Sequence, residues 1–278
     1  MNTLPIVLAH GIFRLDQLRI FFRDELGVDV GPHYFNGIRQ HLASAGFQVR
    51  ETDASFAGPL ALRARQLREQ VAACLAETGA QKVHIIAHSM GGLDARRMIV
   101  DEDMADHVAT LTTIGTPHHG TALADVVLKA GGKAAIAAIT PLIDLAGFND
   151  LTTRACLDFN QRVRDAEATN SVRYRAVWTS ESLARTSPLL QAAWIKVKLL
   201  AGASDGVVPR SSQEWDDRIV SHAGVSKSVE RIRFPLPADH LNEIGWWDPG
   251  ELLGMGGLTR TAYEQQVREF YLRLARTS

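Results

Sequence analysis

Between Lys82 and Arg97 the chain passes from a run that suits a buried strand to a spacing that suits a helix, with no room for a linker between them. Val83, Ile85 and Ile86 form the apolar run, and Leu93, Ala95, Met98 and Ile99 recur at intervals that a helix places on one side. Ser89 sits at the corner. Ala87 stands two positions before it, Gly91 two after and Gly92 next, so the crossing meets only small side chains. A strand-to-helix turn this sharp lifts a hydroxyl clear of the sheet. It also aims the backbone N–H of Met90, at the start of the helix, where a developing oxyanion would sit. Ser89 is the candidate nucleophile and the Met90 amide one candidate donor. The same residues also suit a plain N-cap serine, so the rest of the chain must decide.

Upstream, Leu4 to Ala9 reads as a buried strand ending in His10-Gly11-Ile12, a turn that would present the Ile12 N–H as a second donor. Tyr34 to Ala45 reads as a helix closed by Gly46, Val49 lies in a short strand, and Leu60 to Glu77 is a long helix ended by Gly79. Val108 to Ile114 is the next strand, Asp150 to Ala166 a helix, Tyr174 to Trp178 a strand, Leu189 to Leu200 a helix, Arg231 to Phe234 a last strand and Thr259 to Arg276 a closing helix. Alternation of this kind predicts an α/β fold, a mostly parallel central sheet flanked by helices, with ligands beyond the carboxyl ends of the strands. No Pro-, Gly- or Ser-rich linker divides the sequence, so residues 1–278 are read as a single domain with insertions. One insertion, Phe13 to Pro32, either folds over the site or packs on the surface. The other, at 121–148, is broken by Gly131-Gly132 and then apolar, and is either a helical lid or a pair of core helices.

Two later loops carry chemistry. Asp205 lies on a glycine turn after a helix-strand unit, in Ser204-Asp205-Gly206-Val207-Val208-Pro209, and His240 lies in the loop behind the last strand. A serine hydroxyl is a poor nucleophile near neutrality and needs an imidazole to take its proton and a carboxylate to hold that imidazole. The order Ser89, Asp205, His240, each expected after a strand, is that of the α/β-hydrolases. The pair His118-His119 invites a metal reading, but no second cluster of ligands stands at a matching spacing, so rim-loop histidines are expected instead.

A net charge of -1, from 30 basic and 31 acidic residues, leaves no electrostatic footprint for nucleic acid or an anionic membrane. The two cysteines, Cys74 and Cys156, allow at most one bridge and suggest no zinc knuckle. The apolar part of the candidate lid, about 12 residues, is short of the roughly 20 that a membrane span needs. The opening residues enter a strand at once, which predicts a cytoplasmic protein, or a secreted one whose signal has been trimmed.

The phrases PIVLAHGI, VHIIAHSMGG, TIGTPHHGT, SDGVVP and DHLNEIG occur in the same order as in the bacterial triacylglycerol lipases of the Pseudomonas and Burkholderia type, and the chain resembles them from Pro5 to about Gly245. The resemblance implies a triad of Ser89, Asp205 and His240 with the Ile12 and Met90 amides as the oxyanion hole. It implies a lipase or carboxylesterase acting on apolar acyl esters, with transient contact between lid and lipid. An acyltransferase, thioesterase or lactonase would use the same residues, and a non-catalytic binding protein of this fold is the remote alternative. The sequence departs from the family at Ala87, where a glycine is usual, and at its structural calcium site. Asn242 stands where the second calcium carboxylate should be, and no aspartate lies between Ser187 and Lys198 for the first. Losing two anionic ligands weakens such a site greatly, so no cofactor is expected and calcium is disfavoured.

Overall fold

The computed structural model describes residues 3–24, 33–53, 58–128, 145–248 and 259–278. Seven strands form one sheet: β1 (Ile6–Ala9), β2 (Val49–Glu51), β3 (Val83–His88), β4 (Val108–Ile114), β5 (Arg173–Trp178), β6 (Arg218–Val220) and β7 (Ser226–Arg233), in the order β2-β1-β3-β4-β5-β7-β6. All neighbours are parallel except β6, which turns back antiparallel on β7. β1 and β3 are buried along their whole length, which is why they read as near-continuous apolar runs.

Alternate residues of these strands feed two cores. Ile6, Leu8 and Ile86 point into one, with Ile38 and Leu42 of α2 (Ile38–Ser44) and Tyr263, Val267, Phe270 and Leu274 of α9 (Arg260–Arg276). Val7, Ile85 and Ala87 point into the other, with Leu67 and Val71 of α3 (Leu60–Thr78) and Met98 and Ile99 of α4 (Met90–Asp101). Buried Arg63 ties this second layer together: its guanidinium donates to the Asp94 carboxylate on α4 and, at 2.9 Å, to Asp150.

Several boundaries differ from expectation for local reasons. α2 starts only at Ile38 because Gly37, at φ 70°, turns the chain just before it. α6 (Thr153–Thr169) starts after Thr152, whose hydroxyl oxygen accepts the Ala155 N–H, so Asp150 precedes the helix and is free to meet Arg63. α7 (Gln191–Ala201) runs much as expected. β6 and most of β7 went unread. Only Val229 is buried along β7, and its charged neighbours show no clear apolar alternation.

The candidate lid at 121–148 begins with α5 (Ala122–Leu128), but its residues 129–144 lie outside the described residues, as do residues 25–32 of the Phe13–Pro32 insertion. Cys74 and Cys156 are both buried and unbridged. Among the described residues, no helix is long and apolar enough to cross a membrane.

Candidate active site

The corner between β3 and α4 is built by close approach. Ser89 adopts φ 54°, ψ -130°, a conformation that L-residues rarely hold and that stores strain. A Cβ on Gly91 would lie 2.3 Å from the His10 carbonyl oxygen, and one on Gly92 would lie 2.2 Å from Thr116 Oγ1, so no larger residue fits at either place. Thr116 also donates its hydroxyl to the Ser89 carbonyl, while the Ser89 N–H donates to the Ile114 carbonyl, both at 2.8 Å. Ala87 is tolerated in place of a glycine because its methyl joins the core beneath the sheet.

His240 reaches this corner from a position 151 residues further along the chain. Its Nε2 lies 2.8 Å from Ser89 Oγ and its Nδ1 lies 2.7 Å from Asp205 Oδ2. The other oxygen of Asp205 accepts the N–H groups of Val207 and Val208, at 2.8 and 2.7 Å, and the Asp205 carbonyl accepts the His240 N–H. A carboxylate spent this way makes Nδ1 the protonated nitrogen and leaves Nε2 to accept from the serine. Asp205 does not follow a strand, as the sequence suggested. It sits in the loop after α7, braced by an antiparallel bridge between Ser204 and Pro209.

The electrostatics are those of a dry site. Asp205 and His240 are fully buried and Ser89 is nearly so. Burial alone favours the neutral imidazole of His240, but the Asp205 carboxylate, helped by Glu243, outweighs it and raises the proton affinity above that of an ordinary histidine. Glu243 was quoted in the sequence but given no role. It lies on the turn of helix that follows His240, with Oε2 3.4 Å from His240 Nδ1 and 3.0 Å from His88 Nε2, and burial pushes its carboxyl up to about 8. Its three-residue offset from His240 is the only signal that could have flagged it.

The two candidate donors stand on either side. Met90 opens α4, where the first N–H groups have no acceptor within the helix. Ile12 lies on the loop after β1, and a Cβ on Gly11 would lie 2.7 Å from Ser89 Cβ, so that loop is pressed against the nucleophile. His118 is not on the rim of the site, as was expected. It is fully buried, stacked on Trp215 at 4.1 Å and held by Thr113 Oγ1, so its role is packing. A cavity of about 730 Å3 lies to one side, past the carboxyl ends of β1 and β2, between His10, Tyr34, Arg39, Arg50 and Glu51. The hydrogen-bonded trio is the better guide to chemistry, because that cavity holds neither a nucleophile nor its base.

The calcium donor set does not fit. Asn242 Oδ1 accepts the Asp239 N–H at 2.9 Å and Nδ2 donates to the Trp246 carbonyl at 3.0 Å, so both ends of the amide are used within the loop. Asp239 is likewise spent on the N–H groups of Ser187, Leu241 and Asn242. His88, His240 and Glu243 offer three donor atoms within 4.8 Å of one another, yet a cation held through Nδ1 would take His240 from Asp205. An amide clamp of this kind makes stability indifferent to chelators. Asn242→Ala, which strands two buried backbone groups, should cost roughly 2 kcal/mol or more. Urea titration checks both, and a chelator-induced shift of the midpoint would contradict the clamp.

Solved structures share the architecture. Lipase 1 from Pelosinus fermentans superposes with a TM-score of 0.62 at 20% identity, covering 98% of this chain and 99% of that one. A metagenomic carboxyl esterase gives 0.66 at 18% identity, covering 99% and 76%. The chain has the α/β-hydrolase fold. Residues 64–129 match the family described as "PGAP1-like alpha/beta domain". Its sequence is similar to the triacylglycerol lipase of Vibrio cholerae, 36% identical over 183 residues, 56% of this chain and 53% of that one. It is 35% identical to the triacylglycerol lipase of Pseudomonas fragi over 121 residues, 44% of this chain and 37% of that one. It is 38% identical to that of Burkholderia plantarii over 127 residues, 44% of this chain and 32% of that one. The matched regions thus span about half or less of those relatives, and the chain resembles the lipase type that its motifs suggested.

Proposed function

We propose that this α/β-hydrolase cleaves carboxylic esters with apolar acyl chains through an acyl-enzyme. The observation that carries the reading is the unbroken hydrogen-bonded line from Ser89 Oγ through both nitrogens of His240 to Asp205. Ser89 Oγ attacks the ester carbonyl carbon as its proton passes to His240 Nε2. The Ile12 and Met90 N–H groups hold the oxygen that becomes negative, and Asp205 stabilises the imidazolium. His240 then gives its proton to the departing alcohol as the carbon–oxygen bond breaks. In the second half a water molecule loses a proton to His240, adds to the acyl carbon, and releases the acid with Ser89 restored.

The apolar preference rests on the surroundings. Ile12, Phe13, Met90 and Leu241 are buried in one hydrophobic cluster around the three residues, and the Phe13 ring lies 6.0 Å from that of His240. Similarity to proteins named triacylglycerol lipase points the same way. Initial rates on p-nitrophenyl esters from acetate to palmitate, with and without emulsified triglyceride, test the proposal. Turnover that increases beyond acetate is expected. Failure to turn over any ester, with Ser89 unlabelled by an organophosphonate, would overturn it.

A further inference from the structure

We propose that Glu243, His88 and Tyr34 form a hydrogen-bonded strut that fixes Gly11 against Ser89 and thereby aims the neighbouring Ile12 N–H at the oxyanion. The inference rests on the ester-hydrolase reading above and assigns positioning work to three residues outside the triad.

The strut can be traced atom by atom. At one end the Tyr34 phenol oxygen packs against Gly11, where an added Cβ would lie 2.9 Å from it. The Tyr34 hydroxyl and His88 Nδ1 are 2.9 Å apart, and His88 Nε2 and Glu243 Oε2 are 3.0 Å apart. Tyr34, His88 and Glu243 are all buried, and the His88 ring lies 4.5 Å from that of His240. Burial, and next to it the neighbouring His240, hold His88 neutral, so one of its ring nitrogens donates and the other accepts.

As a carboxylate, Glu243 can only accept, so it takes the ring proton of His88 Nε2 and leaves Nδ1 to accept the Tyr34 phenol proton. Glu243 therefore sets the tautomer of His88, the tautomer decides whether Tyr34 has an acceptor, and Tyr34 holds Gly11. The far end of the strut is crowded, for a Cβ on Gly11 would lie 2.9 Å from the Tyr34 hydroxyl and 2.7 Å from Ser89 Cβ. A shift of the phenol is felt directly at the nucleophile.

Tyr34→Phe removes the hydroxyl and keeps the ring. Glu243→Gln brings an amide N–H against Nε2, drives the ring proton to Nδ1 and turns the same hydroxyl away. Each variant is expected to lower kcat on p-nitrophenyl butyrate by about ten- to a hundredfold with KM little changed, the penalty of a misplaced donor. Affinity for an alkyl boronate, whose serine adduct mimics the tetrahedral intermediate, should fall by the same factor. The double variant should be no worse than the weaker single, since both break one strut. Rates are taken per phosphonate-titrated Ser89, so that a fall in folded protein is not counted as a fall in kcat. Wild-type kcat and boronate affinity in Tyr34→Phe, or losses that multiply in the double variant, would overturn the strut. If Glu243→Gln does not fold, Tyr34→Phe decides the matter alone. Ester turnover that Ser89→Ala abolishes and Tyr34→Phe leaves intact defeats the strut only. Absence of turnover in the wild type defeats the hydrolase reading and the strut with it.

Discussion

Ser89→Ala should lose ester turnover by a factor on the order of 10^6 while keeping its fold, the size of loss seen when a nucleophile acting as one unit with its base is removed. Among the described residues the hydroxyl pairs with His240 Nε2 alone, and the backbone bonds that hold the corner involve Ser89 N–H and carbonyl, which alanine retains. Alanine also retains the Cβ and with it the strain of φ 54°. Ser89→Gly removes both. Relief of about 1–3 kcal/mol of strain, set against about 0.5–1 kcal/mol of added chain entropy, makes Ser89→Gly the more stable of two inactive variants. Rate measurement with phosphonate titration checks the first point, and comparative urea melts check the second. Residual wild-type turnover in Ser89→Ala would remove the nucleophile assignment.

The second large effect concerns Asp205. Asp205→Asn should lower kcat by up to about 10^4-fold, because an amide N–H facing Nδ1 favours the tautomer that puts the proton on Nε2. Asp205→Ala should lose less. With the carboxylate gone, Nδ1–H still has Glu243 Oε2 at 3.4 Å to turn towards. The pH profile separates this account from simple loss of packing. His240 must be neutral to act as a base and its proton affinity is raised, so activity in the wild type should appear only as pH climbs above the ordinary imidazole value of about 6.5. Removing the Asp205 charge shifts that acid limb downward. Equal losses in the two variants, with an unmoved limb, would show that Asp205 does not act through the imidazole.

What could be read from the sequence was what burial writes into composition. β1, β3 and β4 were legible because strands covered on both faces read as short runs dominated by apolar and β-branched residues. The nucleophile's corner was legible because close approach excludes side chains, and Gly91 and Gly92 record that exclusion. β6 and the first half of β7 were not, since an edge hairpin carries charged residues on the solvent side and shows no clean alternation. Glu243 and His88 could be seen as letters but not as partners. Their meeting joins residues 155 positions apart, and no local pattern marks a buried carboxylate that finds its imidazole through the fold. His118 misled for the matching reason: polar in type, it is buried by Trp215, which arrives from a distant loop.

The separation of Ser89 from His240 by 151 residues also bears on how the chain reaches its native state. The β1, β3 and β4 strands and the corner between them involve the first 120 or so positions, about the size that folds as a unit. The base instead belongs to the final stretch, seated by β7 and α9, and its loop closes last because distant contacts form slowly. During refolding from denaturant, far-UV ellipticity should therefore recover ahead of ester turnover. A chain still emerging from the ribosome would already carry Ser89 at its strained corner, yet lack the His240 imidazole until its C-terminal segment arrives.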